Sequence, residues 1–294
     1  MMNQPMDVID PHVHCWQLAA GHYAWLRSEN PPFWPDKTLL QHDYPPAALQ
    51  LQSPFRLTGV VAIEAGFNNQ QPEQELAWFN RQNWPCLQRS VAFLDCAAPL
   101  EQVAAALESL AEYQPAGVRH IFEGEDEVIL HRPELNTISG LLCQQQLLLE
   151  VQCNLATKHN LARIIQLAEH FPELTLVLNH AGLVTPATFA GWQQSLSVIA
   201  NYPNIFMKLS GWEMLHSGCK SEFDTALLQQ VLAGALAHLP TERLMLAGNF
   251  PLCLWQGSYQ QLWLHYWQCG QQLGLSQSEW QQLSQLTATQ CYGL

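Results

Sequence analysis

Eight short apolar runs, at about residues 7–14, 57–64, 89–94, 116–121, 147–153, 174–180, 205–209 and 244–249, recur along the chain with amphipathic segments between them. Few folds accept that rhythm. Short β-branched runs separated by helical patterns are the signature of βαβ units and a parallel sheet. The segments between them, at about 73–82, 100–112, 134–145, 159–170, 189–200 and 225–239, carry the helical period, and two more helices are predicted before the C-terminus. Eight such units predict a single-domain (β/α)8 barrel of the TIM type over residues 1–294, a length that one barrel commonly occupies. No GxGxxG loop follows the first run, which removes the main reason to expect an open dinucleotide-binding sheet.

One stretch breaks the rhythm. Residues 16–54 contain Pro31, Pro32, Pro35, Pro45 and Pro46 together with Tyr23, Trp25, Phe33 and Trp34. A long insertion after the first strand of a barrel lies over its catalytic face, so this one is expected to act as a substrate lid.

Composition narrows the partners. The hydrophobic fraction of 48% is ample for a large core, whereas 12 Lys plus Arg against 25 Asp plus Glu, a formal net charge of −13, leave no basic stripe for phosphates. A small-molecule substrate is expected, with neither nucleic acid nor membrane as partner, and self-association into a homo-oligomer is left open. The stretch from Met1 to Val8 lacks the basic and apolar regions of a secretory leader, which predicts a cytoplasmic protein. Nine cysteines without paired CxxC spacing are expected to be free thiols, mostly buried.

In a barrel the chemistry sits where the strands end at their C-terminal side. The first run ends in His12 and His14, the second in Glu64, the fourth in Arg119 and His120, and the fifth carries Glu150, Gln152 and Asn154. The sixth ends in Asn179 and His180, the seventh runs into Lys208 and Ser210, and the eighth stops at Asn249. His12 and His14, two residues apart, share one strand face. A pair so placed can ligate a metal, polarise a carbonyl or hold a carboxylate. His180 closes an apolar run beside Gly182, where a ligand can approach the backbone. A guanidinium at Arg119 can clamp a carboxylate or lactone oxygen. Glu64 and Glu150 either serve proton transfer or pair with Arg119 or a histidine. His120, of opposite parity to Arg119, is expected to point away from the mouth, and at most one of Lys208 and Ser210 is expected to face the axis.

These residues, in this order, resemble the amidohydrolase superfamily, and within it the lactonase-like amidohydrolase 2 branch that includes sugar-lactone and 2-pyrone-4,6-dicarboxylate lactonases. The likeness spans nearly the whole chain through Ile9-Asp10-Pro11-His12-Val13-His14-Cys15-Trp16, Gly117-Val118-Arg119-His120, Asn179-His180-Ala181-Gly182, Lys208-Leu209-Ser210-Gly211 and Arg243 to Cys253, with Cys291-Tyr292-Gly293-Leu294 at the end. It implies a hydrolase that opens a lactone by water attack, commonly with no tightly held metal. His12, His14 and His180 would lie near the carbonyl, and Arg119 and Glu64 at the substrate. In that family a strand-eight aspartate takes the proton from water. Here Asn249 occupies its place, and Asn179 stands where an acid commonly precedes the strand-six histidine.

An amide cannot act as a base near pH 7, so Asn249 is expected to position water and a substitute base to be His180 or Glu64. No cofactor is expected. Two alternatives accompany this reading: a catalytically impaired barrel that binds a sugar acid or lactone, and a metal-dependent amidohydrolase or decarboxylase with a single divalent ion such as zinc on His12, His14 and His180.

Overall fold

The computed structural model describes residues 5–215 and 223–294; residues 1–4, part of the stretch read above for a leader, and 216–222 lie outside the described residues. Eight strands follow in sequence order around one sheet: β1 (Met6–Val13), β2 (Phe55–Ile63), β3 (Leu87–Phe93), β4 (Gly117–Ile121), β5 (Leu148–Gln152), β6 (Leu176–Leu178), β7 (Ile205–Leu209) and β8 (Leu244–Leu246). All neighbouring pairs are parallel. The sheet is a (β/α)8 barrel. Its ends meet where Val13 bridges Phe250 and the His14 N–H donates to the Phe250 carbonyl at 2.7 Å.

Alternation along the strands sorts the side chains into two cores. Ile9, Val61, Ile63, Val91, Leu148, Val177 and Met245 point inward and fill the barrel, while Val8, Val60, Val118, Leu149, Val151, Leu176 and Leu178 point outward to the helices. The helices Glu73–Asn80, Leu100–Ala111, Glu134–Gln144, Lys158–His170, Phe189–Ile199, Thr225–Leu236 and Tyr259–Gln272 supply the other side of that outer core. The C-terminal segment, residues 277–292, lies across the N-terminal end of the barrel, where Thr287 Oγ1 donates to the Thr241 carbonyl at 2.9 Å. From it Ala288 and Tyr292 enter the inner core.

Two predicted strands run too far. The sixth ends at Leu178 rather than 180, and the eighth at Leu246 rather than 249. The backbone turns left-handed at His180, Ala181, Gly182 and Leu183 (φ 51–65°) and again at Asn249 (φ 47°), a conformation that no ladder accommodates. His180 and Asn249 therefore project from turns just beyond the sheet.

The stretch 16–54 contains no strand or α-helix, only the 3-10 turns Ala24–Leu26, Lys37–Leu40 and Pro46–Ala48 and a single bridge between Trp16 and Tyr44. It packs as a layer of aromatic edges: Trp16 against Trp25, Trp25 against Trp34, and Trp34 against Trp255 from the loop after β8 at 5.1 Å between ring centroids. The eight cysteines among the described residues are free thiols, and Cys15, Cys96, Cys153, Cys253 and Cys269 are buried. No helix among the described residues is long and apolar enough to cross a membrane.

Candidate active site

The polar interior begins halfway up the barrel. Lys208 on β7 and Glu150 on β5 both point inward and are fully buried, with Lys208 Nζ 2.6 and 2.7 Å from the two carboxylate oxygens. The Tyr292 hydroxyl, reaching in from the C-terminal segment, donates to Glu150 Oε1 at 2.7 Å. Burial holds the Lys208 ammonium below its ordinary range, against the raising influence of the Glu150 charge beside it.

Above this pair lie the histidines. Lys208 Nζ is 3.2 Å from His12 Nδ1, His12 Nε2 is 3.2 Å from His14 Nε2, and His14 Nδ1 is 2.9 Å from the Glu64 carbonyl. An ammonium only donates, so His12 Nδ1 accepts. Its Nε2–H then donates to His14 Nε2, and the His14 Nδ1–H donates to the carbonyl. One consistent proton arrangement thus runs from β7 through both histidines to β2. Burial keeps both rings neutral, His12 well below the usual histidine range and His14 down to about 3, with nearby Lys208 and Arg119 adding to the effect.

His180 completes the cluster. Its ring lies 4.7 Å from that of His12, its Nδ1 is 3.0 Å from Ser210 Oγ, and burial likewise holds it well below the ordinary range. Gly211 (φ 84°) makes this approach possible, because a Cβ there would sit 2.7 Å from the Cβ of His180. The expectation that at most one of Lys208 and Ser210 faces the axis is overturned. They are two residues apart and so share strand parity, and both touch a histidine of the cluster.

Arg119 and Glu64 meet each other. Arg119 Nη1 is 2.6 Å from Glu64 Oε1, and Nη2 donates to Gln152 Oε1 at 2.6 Å, while the buried Nε has no partner among the described residues. Glu150 pairs with Lys208 rather than with Arg119 or a histidine. His120 packs outward on Phe122, with Nδ1 3.1 Å from the Leu94 carbonyl. Asn179 is fully buried with neither side-chain atom partnered among the described residues.

Two acids went unread in the sequence. The Asp10 carboxylate accepts from the N–H groups of His12 (3.0 Å) and Gly248 (2.8 Å) and from the Tyr259 hydroxyl (2.7 Å), which ties the start of the histidine motif to the end of β8. Glu213 lies in the 3-10 turn Trp212–Leu215 after β7, buried, and accepts from Asn249 Nδ2. The only sequence signal for Glu213 is an acid inside the apolar stretch Trp212 to Leu215.

These donors suit a metal ion poorly in this arrangement. A charged Lys208 on Nδ1 leaves a proton on His12 Nε2, which removes the lone pair a ligand needs, and Asn249 offers no negative charge. Among the described residues no group of three or more His, Cys, Asp or Glu side chains is arranged to hold a metal.

A family model for amidohydrolases matches residues 9–294. The chain belongs to the amidohydrolase family. This amidohydrolase is 26% identical to an L-fucono-1,5-lactonase of Burkholderia multivorans, over 97% of its own length and 96% of the relative's. Solved structures share the fold. An amidohydrolase of Burkholderia multivorans with bound HEPES superimposes with a TM-score of 0.78 at 23% identity, over 98% of this chain and 99% of the other; in a second crystal form that relative holds zinc (TM-score 0.77). A 2-pyrone-4,6-dicarboxylic acid hydrolase of Pseudomonas putida, assigned as putative, superimposes with a TM-score of 0.69 at 21% identity, over 97% of each chain.

Proposed function

We propose that this amidohydrolase opens the ring of a small sugar-derived or carboxylated lactone by attack of water on the carbonyl carbon. The observation that carries the reading is the convergence of three neutral histidines with Arg119 at the C-terminal ends of the strands. Neutral imidazoles and a guanidinium offer donors to a carbonyl oxygen that gains negative charge as water adds, without the desolvation cost of extra buried charge. The 26% identity to an L-fucono-1,5-lactonase across nearly both chains supports a sugar lactone as the substrate class.

In this reading the His12 Nε2–H, which donates to His14 in the free protein, turns to the carbonyl oxygen as substrate binds. The unpartnered Arg119 Nε–H faces the same oxygen, His180 lines the same wall, and Asn249 orients the water. Glu64 fixes Arg119 rather than touching the substrate. The oxygen of water bonds to the carbonyl carbon, the ring C–O bond breaks, the ring oxygen takes up a proton, and a hydroxy acid leaves. The aromatic layer of residues 16–54 closes over the mouth and excludes bulk water.

The test is a pH-stat assay of chelator-treated protein on L-fucono-1,5-lactone, other aldonolactones and 2-pyrone-4,6-dicarboxylate. Turnover of an aldonolactone above the spontaneous rate is expected. Ligand-induced thermal stabilisation with no turnover would instead favour an impaired barrel that binds a sugar acid, the reading that the neutral Asn249 motivates. Activity that appears only when zinc is restored would favour a metal on His12, His14 and His180, with Lys208 neutral.

A further inference from the structure

The buried acids of the barrel mouth are nearly all committed. Glu64 is held by Arg119, Glu150 by Lys208 and Tyr292, and Asp10 by three donors, while Glu75 beneath the loop accepts from the backbone N–H of Ala65. Glu213 differs. Its side-chain partner among the described residues is the neutral amide of Asn249, and no cation among the described residues is an influence on its ionisation. The titratable groups facing it from the Leu252–Trp255 turn and from the Tyr259–Gln272 helix are Cys253 and Tyr266, both kept neutral by burial.

The position of Glu213 is built. Trp212 Nε1 donates to the Tyr266 hydroxyl at 2.7 Å, and that hydroxyl lies 2.9 Å from the carbonyls of both Leu209 and Ala247. The turn bearing Glu213 is thereby clamped to the ends of β7 and β8 together, beside Gly211, which touches His180. On the other side of the carboxylate, the left-handed backbone at Asn249 (φ 47°) aims the amide so that Nδ2 donates to Glu213, and Oδ1 is buried without a partner among the described residues.

We propose that Glu213 is the proton acceptor of this site and that Asn249 is its positioning partner: water donates one hydrogen to Asn249 Oδ1 and the other to the Glu213 carboxylate. The assignment rests on the hydrolytic reading above. As the water oxygen bonds to the lactone carbonyl carbon, its proton passes to Glu213; when the ring C–O bond breaks, Glu213 returns that proton to the ring oxygen and is a carboxylate again. Burial pushes the Glu213 carboxyl up to about 7, against the lowering influence of its own backbone and of Asn249, so the basic form is filled as pH rises through neutrality. The acid has in effect moved from the strand-eight position to the neighbouring turn, and a neutral side chain at Asn249 keeps two carboxylates from facing each other. That like-charge contact would hold a proton between them and weaken the base.

The experiment compares wild type, Glu213→Gln, Glu213→Asp and the exchange variant Glu213→Gln/Asn249→Asp on L-fucono-1,5-lactone from pH 5 to 9. Wild-type kcat is expected to rise with pH around 7. Glu213→Gln should lower kcat by ~10²–10⁴, leave KM nearly unchanged and abolish that limb, whereas Glu213→Asp retains it. The exchange variant should recover at least roughly ten-fold over Glu213→Gln, because it returns one unpaired carboxylate to the same contact. Wild-type kcat in a folded Glu213→Gln, or an exchange variant no faster than Glu213→Gln, would overturn the assignment. If wild type opens no lactone, the hydrolytic reading fails, and infrared titration of the carboxyl band decides the rest. A band near pH 7 that vanishes in Glu213→Gln keeps Glu213 as the ionisable acid of the site, and its ionisation in the ordinary carboxylate range removes it.

Discussion

Replacing His12 and His14 together by alanine lowers kcat for lactone opening by about 10⁴, since loss of one donor to a developing oxyanion typically costs 10²–10³. The two rings act as a unit, so the double variant falls short of the product of the singles. His14 is turned by the Ile63 and Glu64 carbonyls, and its Nε2 in turn receives His12. Removing His14 alone frees the His12 N–H to rotate, and removing His12 alone leaves Lys208 facing a cavity. A pH-stat rate on the folded double variant, its fold verified by circular dichroism, is the check. A rate within ten-fold of wild type would show that the histidines do not hold the reacting carbonyl.

The second large effect concerns stability. Lys208→Met is expected to cost about 3–5 kcal/mol, because it strands the Glu150 carboxylate in the barrel interior with Tyr292 as its remaining side-chain donor. At ~2–4 °C per kcal/mol for chains of this size class, Tm drops by roughly 6–20 °C. The double variant Lys208→Met/Glu150→Leu removes both charges and should recover most of that loss. Activity should not recover with it. Lys208 is the donor that fixes the proton of His12 on Nε2, and methionine leaves the ring free to adopt the other tautomer. Thermal unfolding paired with kcat separates the two roles: a double variant that regains both Tm and full kcat would reduce the ion pair to a packing element.

The barrel was legible in the sequence because inward and outward side chains alternate along each strand, and the periods of strand and helix differ. His12, His14, Glu64, Arg119, His180 and Asn249 stood out as polar residues that close apolar runs, and the structure brings them to one end of the barrel. What escaped detection lies where strand parity stops or where partners come from far along the chain. His180 and Asn249 leave their strands through left-handed turns, which apolar patterning does not register. Glu213 follows the positive-φ Gly211, so no alternation rule assigns it a direction. The partners of Glu150 and Asp10 include Tyr292 and Tyr259, more than 100 residues distant, and only the closed barrel brings them in. Lys208 and Ser210, by contrast, were within reach of the parity rule, which places both on one face.

The most direct measurement is hydrolysis of L-fucono-1,5-lactone by the chelator-treated protein in water enriched in ¹⁸O, with mass analysis of the product and a protein-free control. The account predicts ring opening well above the control rate and one ¹⁸O atom in the carboxylate of the hydroxy acid, the mark of water adding to the carbonyl carbon. A rate equal to the control, or label in the released hydroxyl instead, would contradict it.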